Sequence, residues 1–278
     1  MTAPNATPPN RPSESFIRGV QDRLSSQAPT VFDFNPHGDL ETVSAVLFLL
    51  GPGADGWPEL ILNKRSQRVR QAGDLCCPGG GISPRIDSWL ARGLLLPAMP
   101  LQRWAQRPRW RRYPDKALPK IALLLAAALR EGFEEMRLNP LGVEFLAPMP
   151  AQRLVLFQRV IYPLVGWVTR QRRFIPNWEV DKIVRIPLAA LLDPVNYARY
   201  RISFSETAAA AAPIRPDRDM PCFRHRHQGQ TELLWGATYR IVEQFLKAVF
   251  DFIPPAMESL PIIHRRLNRA YLEGALVP

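Results

Sequence analysis

The stretch Arg130-Glu131-Gly132-Phe133-Glu134-Glu135 sets three carboxylates at i, i+3 and i+4. At about 100° per residue their side chains fall within roughly a third of a helix circumference. Leu125, Leu129, Phe133 and Met136 fall together on the other side, where they would give the helix an apolar seat. Three anions this close repel one another, a cost that a surface without function has little reason to carry. A divalent cation turns that repulsion into coordination, and hard Mg²⁺ or Mn²⁺ suits ligands that are all oxygen. The competing reading is a solvated acidic helix face, the commoner origin of glutamate pairs. Glu134 and Glu135 are read as ligands, Glu131 as ligand or base. Arg130 is expected to pair with a neighbouring carboxylate and fix its rotamer.

Upstream, the chain reads Ile61-Leu62-Asn63-Lys64-Arg65-Ser66, then Arg70, Gly73 and Cys77-Pro78-Gly79-Gly80-Gly81. A glycine-rich turn before a carboxylate-bearing helix resembles the loop–helix–loop signature of the Nudix hydrolases. The basic run is similar to the extra motif of their coenzyme A diphosphatase branch, with Asn63 where Thr is usual and Cys77 where Phe is usual. The resemblance runs intermittently from residue 43 to residue 246, and its two motifs are specific only together.

The resemblance implies an α/β (α+β) fold, a mixed sheet between helices. It also implies Mg²⁺- or Mn²⁺-dependent cleavage of a diphosphate bond, with Glu131, Glu134 and Glu135 as metal and catalytic residues beside Arg130. The favoured substrate is coenzyme A or an acyl derivative, giving 3′,5′-adenosine diphosphate and (acyl-)phosphopantetheine. Gly79, Gly80 and Gly81 would let backbone N–H groups approach phosphate. Lys64, Arg65 and Arg70 are candidates for a 3′-phosphate, and Arg can hold one bidentately. Glu179, in Glu179-Val180, matches a Glu-Val pair at the mouth of the family's site.

Two departures stand beside these matches. Residues 82–118 separate the glycine turn from the helix, far beyond an ordinary connection. Arg137 occupies the place where the family has a helix-ending glycine, and a non-Gly residue in the left-handed region costs on the order of 1 kcal/mol. Asn139-Pro140 can still stop the helix. Asp87 and Asp115 both remain candidates for the family's earlier acidic position.

The 278 residues carry 36 basic and 25 acidic side chains, a formal charge of +11. That balance favours anionic ligands, whether phosphorylated metabolites, nucleic acid or a membrane surface. Hydrophobic content of 46% excludes a wholly disordered chain. Cys76, Cys77 and Cys222 make a poor disulfide framework and suit a reducing, cytoplasmic setting. Cys76-Cys77 can be read as a redox or metal pair, but the favoured reading is small apolar residues on a strand entering the glycine turn. No secretory or membrane-spanning segment is visible.

Residues 1–15 read as a disordered tail and 16–278 as one hydrolase domain carrying the insertion 82–118. Strands are expected at 43–50, 59–63, 155–168, 180–186 and 230–235, with helices at 16–24, 120–136, 188–192 and 236–250. Residues 208–212 read as a loop. The insertion is basic and aromatic, with Trp89, Trp104, Trp110 and Tyr113 among arginines. It suits a lid over the substrate, an amphipathic membrane or partner surface, or an oligomer surface such as a homodimer's, with nucleic acid ranked below the lid and the oligomer surface. His225-x-His227 would lie on one side of a strand and lacks a third ligand in sequence. Two alternatives stay open: hydrolysis of another nucleoside diphosphate derivative, and a Nudix-like binding module whose catalysis has lapsed.

Overall fold

Strand β1 (Val43–Pro52) is apolar at nearly every position, as a strand covered on both faces must be. Its alternate side chains separate accordingly. Val43, Ala45, Leu47 and Leu49 enter one core, and Val46, Phe48 and Leu50 enter another on the opposite face. The computed structural model describes residues 14–26, 32–35, 40–54, 57–97, 99–112, 117–154, 159–204, 219–268 and 271.

Around β1 runs an eight-stranded mixed sheet. It comprises β2 (Pro58–Arg65), β3 (Leu75–Cys76), β4 (Gly79–Gly81), β5 (Val143–Pro148), β6 (Gln152–Leu154), β7 (Arg159–Val168) and β8 (Val180–Pro187). β1 pairs parallel with β7 and antiparallel with β2 and β4. A second, four-stranded sheet has the order β11 (Gln230–Trp235), β10 (Asp219–His227), β9 (Tyr197–Phe204) and β12 (Ile262–Leu267).

Helices cover both faces of the larger sheet. α2 (Pro84–Leu94), α3 (Arg107–Arg111) and α4 (Ala117–Met136) contribute to the first core. α1 (Glu14–Ser25), α5 (Leu188–Leu191) and α6 (Gly236–Phe250) contribute to the second. This is the mixed sheet between helices that the motifs implied. Among the described residues, no helix is long and apolar enough to cross a membrane.

α4 carries the carboxylates, and Ile121–Leu129 is buried on every side, as its unbroken apolar run requires. It starts three residues before the expected Lys120, because Pro119 sits in a first turn whose N–H groups have no intrahelical partner. Phe133 corrects the expected apolar seat. Leu125, Leu129 and Met136 are buried, but Phe133 is 45% exposed and the Arg137 guanidinium lies over its ring.

The insertion folds into α2 and α3. Trp104 and Trp110 are buried in the first core, with Trp104 against Phe145 and donating its indole N–H to the Leu146 carbonyl. These two aromatics are therefore structural, whereas Trp89 is exposed. Tyr113, Asp115, most of the tail and the 208–212 loop lie outside the described residues. α1 already begins at Glu14, inside the expected tail. β5, β9 and β12 were not expected from sequence.

Candidate active site

Alternation along β2 decides which of its side chains reach the carboxylates. Asn63 points to the α4 face and donates from Nδ2 to Glu135 Oε2 at 2.9 Å. Lys64 points to the opposite face, where it pairs at 3.0 Å with Glu232 of β11, a carboxylate also held by Lys182. Lys64 thus does not share the face of the glutamates.

The glycine turn meets the helix directly. The Gly79 N–H donates to the same Glu135 Oε2 at 3.1 Å. Gly79 has φ of 141°, and a Cβ there would stand 2.3 Å from the Ala45 carbonyl oxygen. Glycine is obligatory on both counts. At Gly80 a Cβ would stand 2.7 Å from the Glu131 carboxylate. The N–H of Gly79, read in sequence as a phosphate contact, is taken by Glu135.

Arg130 ties three elements together. Nε donates to Asp87 Oδ1 at 2.8 Å, and Nη2 donates to Asp87 Oδ2 at 3.2 Å and to the Gly81 carbonyl at 3.1 Å. Nη1 donates to Glu131 at 3.0 Å and to Glu134 at 3.2 Å. The guanidinium is here the cation that holds Glu131 and Glu134 together. Asp87 is fully buried and also accepts from the Ser83 N–H at 2.6 Å. Of the two early acidic candidates, Asp87 is the one the described structure brings to Arg130.

Burial raises two carboxyls of this group, Glu135 and Glu131. Desolvation lifts Glu135 to about 8, opposed by the Gly79 N–H and reinforced by the charges of Glu131 and Glu179. Glu131 is also raised by burial, against the pull of Arg130. The hydrogen bond to Asp87 leads in raising the Arg130 guanidinium.

Glu179 arrives on a segment sewn to the end of α4. The Asn177 N–H donates to the Glu135 carbonyl at 2.8 Å, and the Ser66 N–H donates to the Glu179 carbonyl at 2.8 Å. Arg65 Nε donates to the Arg70 carbonyl at 2.7 Å, while the Arg70 side chain is exposed. The loop holding Arg70 is anchored from far away. The Gln71 N–H reaches the Tyr271 carbonyl, and Asp74 accepts from the Tyr271 hydroxyl at 2.6 Å and from Trp235 Nε1 at 3.1 Å. Asp74 and Tyr271 gave no sequence signal, since neither belongs to a motif. Asn63 was visible only as a departure from Thr.

A resident divalent cation can be tested against these groups. Among the described residues no three His, Cys, Asp or Glu side chains gather as a ready cage. Mg²⁺ seldom uses one, taking one or two carboxylates and completing its shell with water and substrate phosphate. The donors here are all oxygens, the Glu131 carboxylate lies against Gly80 where a Cβ would collide with it, and Asn63 Oδ1 is buried without a partner beside Glu135. The residues fit a hard cation.

The other candidate metal and redox groups are accounted for differently. His225 and His227 stand on β10 with rings 6.2 Å apart, and burial lowers both. The three cysteines are free, and burial pushes the Cys76 thiol up to about 12. At neutral pH it is no thiolate.

No family model matches the chain, and no curated protein matches it. Solved structures do show likeness. The MutT/nudix family protein from Enterococcus faecalis aligns at 11% identity over 87% of this chain and 75% of that one, with a TM-score of 0.37. A NUDIX hydrolase from Nitrosomonas europaea aligns at 13% over 82% of each chain, TM-score 0.36. The NUDIX domain of Shewanella oneidensis NrtR, in complex with ADP ribose, aligns at 16% over 62% of this chain and 84% of that one, TM-score 0.34. Likeness this distant says nothing of activity, which rests on the chain's own residues.

Proposed function

We propose that this chain is a Nudix-type pyrophosphohydrolase that cleaves a diphosphate bond with Mg²⁺ or Mn²⁺. One observation carries the reading. Glu131 and Glu135 of α4 sit against Gly79 and Gly80, although the residues 82–118 separate turn from helix. An insertion that leaves this juxtaposition intact supports a working site over a lapsed one.

When bound, the cation neutralises phosphoryl oxygens and lowers the pKa of water. Glu131 and Glu134 would hold it at the exposed side, with Glu135 as the inner ligand. Arg130, braced by Asp87, sets the rotamers of Glu131 and Glu134. Asn63 and the Gly79 N–H fix the Glu135 carboxylate. Glu135 is itself buried.

Coenzyme A or an acyl derivative is the favoured substrate. Arg70 is exposed on a loop that is pinned at both ends, which suits bidentate capture of a 3′-phosphate. The test is product analysis of coenzyme A incubated with protein and Mg²⁺ or Mn²⁺, wild type beside Glu134→Gln. Wild type should release 3′,5′-adenosine diphosphate, and the variant should lose several orders of magnitude. A wild type inert on coenzyme A but active on dinucleotides or nucleotide sugars would keep the reaction and discard the substrate. Inertness on all of them would discard the hydrolase.

A further inference from the structure

α2 presents its apolar side chains in two opposite directions. Asp87, Ala91 and Leu94 face inward and are buried. At about 100° per residue, Arg85, Ile86, Trp89 and Arg92 fall within roughly a third of the circumference on the other side. All four are exposed, with Ile86 at 54% and Trp89 at 72%. Leu96, just beyond the helix, is 59% exposed. Single exposed hydrophobics need no explanation, but a Trp and an Ile flanked by arginines on one helix face do.

Within residues 82–112 the exposed charge has one sign. Residues 82–112 hold seven arginines, and their only acid is Asp87, buried against Arg130. Among the described residues, neither Arg85 nor Arg92 has an ion-pair partner. Indole and isoleucine between guanidinium groups match the boundary of an anionic bilayer, where aromatic rings sit at headgroup level and arginines meet lipid phosphates. A protein partner would have to be both acidic and apolar. RNA would be served by the arginines and by Trp89, but would leave Ile86 and Leu96 in water.

We infer that the outward face of α2, with Ile86 and Trp89 between Arg85 and Arg92, docks the protein on an anionic phospholipid surface. The inference stands apart from the hydrolase reading. Since α2 also carries Asp87, the docked face lies on the helix that braces Arg130.

Co-sedimentation of the full chain with vesicles tests it, using phosphatidylcholine with and without phosphatidylglycerol. Binding should require the anionic lipid and weaken with salt. Arg85→Gln and Arg92→Gln should each weaken it about fivefold, and Trp89→Ala about tenfold or more. Because these side chains are exposed, thermal melting should be unchanged, and Ile86→Ala gives an independent check. The inference is overturned by equal binding of wild type and Trp89→Ala. It is also overturned by absence of binding to anionic vesicles, by tighter binding to single-stranded RNA than to vesicles, or by a dimer that Trp89→Ala dissolves.

Discussion

Asp87 and Arg130, 43 residues apart, meet through two hydrogen bonds of 2.8 and 3.2 Å, with the Asp87 side chain wholly removed from solvent. The pair clamps the insertion to the carboxylate helix. It also leaves Nη1 of Arg130 free to span Glu131 and Glu134. Without Asp87 the guanidinium keeps Glu131 and Glu134 but loses two charge-assisted hydrogen bonds, a cost of about 1–3 kcal/mol. Asp87→Asn should therefore lower the unfolding free energy by an amount on that order, read as a lower denaturant midpoint at unchanged slope, and activity should fall with it. An unchanged midpoint would show that the clamp contributes little.

The two adjacent glycines should respond differently to alanine. At Gly79 the added Cβ meets fixed backbone at 2.3 Å and 2.6 Å under a positive φ, so Gly79→Ala should destabilise by several kcal/mol. At Gly80 it meets the end of the Glu131 side chain, which can swing away. Gly80→Ala should melt close to wild type yet lose diphosphate turnover. Equal losses of stability in both variants would contradict the placement of Glu131.

Stability of metal-free protein should depend on pH through Glu135. Its carboxyl titrates near 4.5 in the ordinary state and about 8 when folded. Between those values the folded state holds the extra proton, so the contribution is fully present below the lower value. It is lost as pH rises through the upper one. Melting in the presence of a chelator should show a falling temperature across that window. Glu135→Gln should flatten the curve, and a variant as steep as wild type would assign the effect elsewhere.

Arg137 ends α4 with φ of 54°. Its N–H returns to the Phe133 carbonyl and that of Leu138 to Gly132, a left-handed helix end that glycine usually supplies. Strain of about 1–2 kcal/mol is partly offset by the guanidinium over the Phe133 ring, worth about 0.5–1 kcal/mol at an exposed site. Arg137→Gly should be at least as stable as wild type. Arg137→Ala keeps the strain and loses the stacking, so it should be the weakest of the three on chemical denaturation.

Arg70→Ala should raise KM for coenzyme A about tenfold or more while barely changing that for dephospho-coenzyme A. Steady-state kinetics on both substrates decides this. Equal effects would remove 3′-phosphate recognition from Arg70.

The sequence by itself determined the local and periodic features. The apolar run of β1, the buried first half of α4 and the i, i+3, i+4 spacing of Glu131, Glu134 and Glu135 follow from side-chain type and helix or strand period. The helix over 236–250 and the strand over 230–235 were equally legible. Tertiary structure decided what depends on partners remote in the chain. It chose Asp87 for Arg130, turned Lys64 to Glu232 and Asn63 to Glu135, and left Phe133 outside the seat its spacing suggested. It alone brought Tyr271 to Asp74 and placed Trp104 and Trp110 in the core. Periodicity says which side chains share a face. Only packing, the burial of one element against another, says what that face meets.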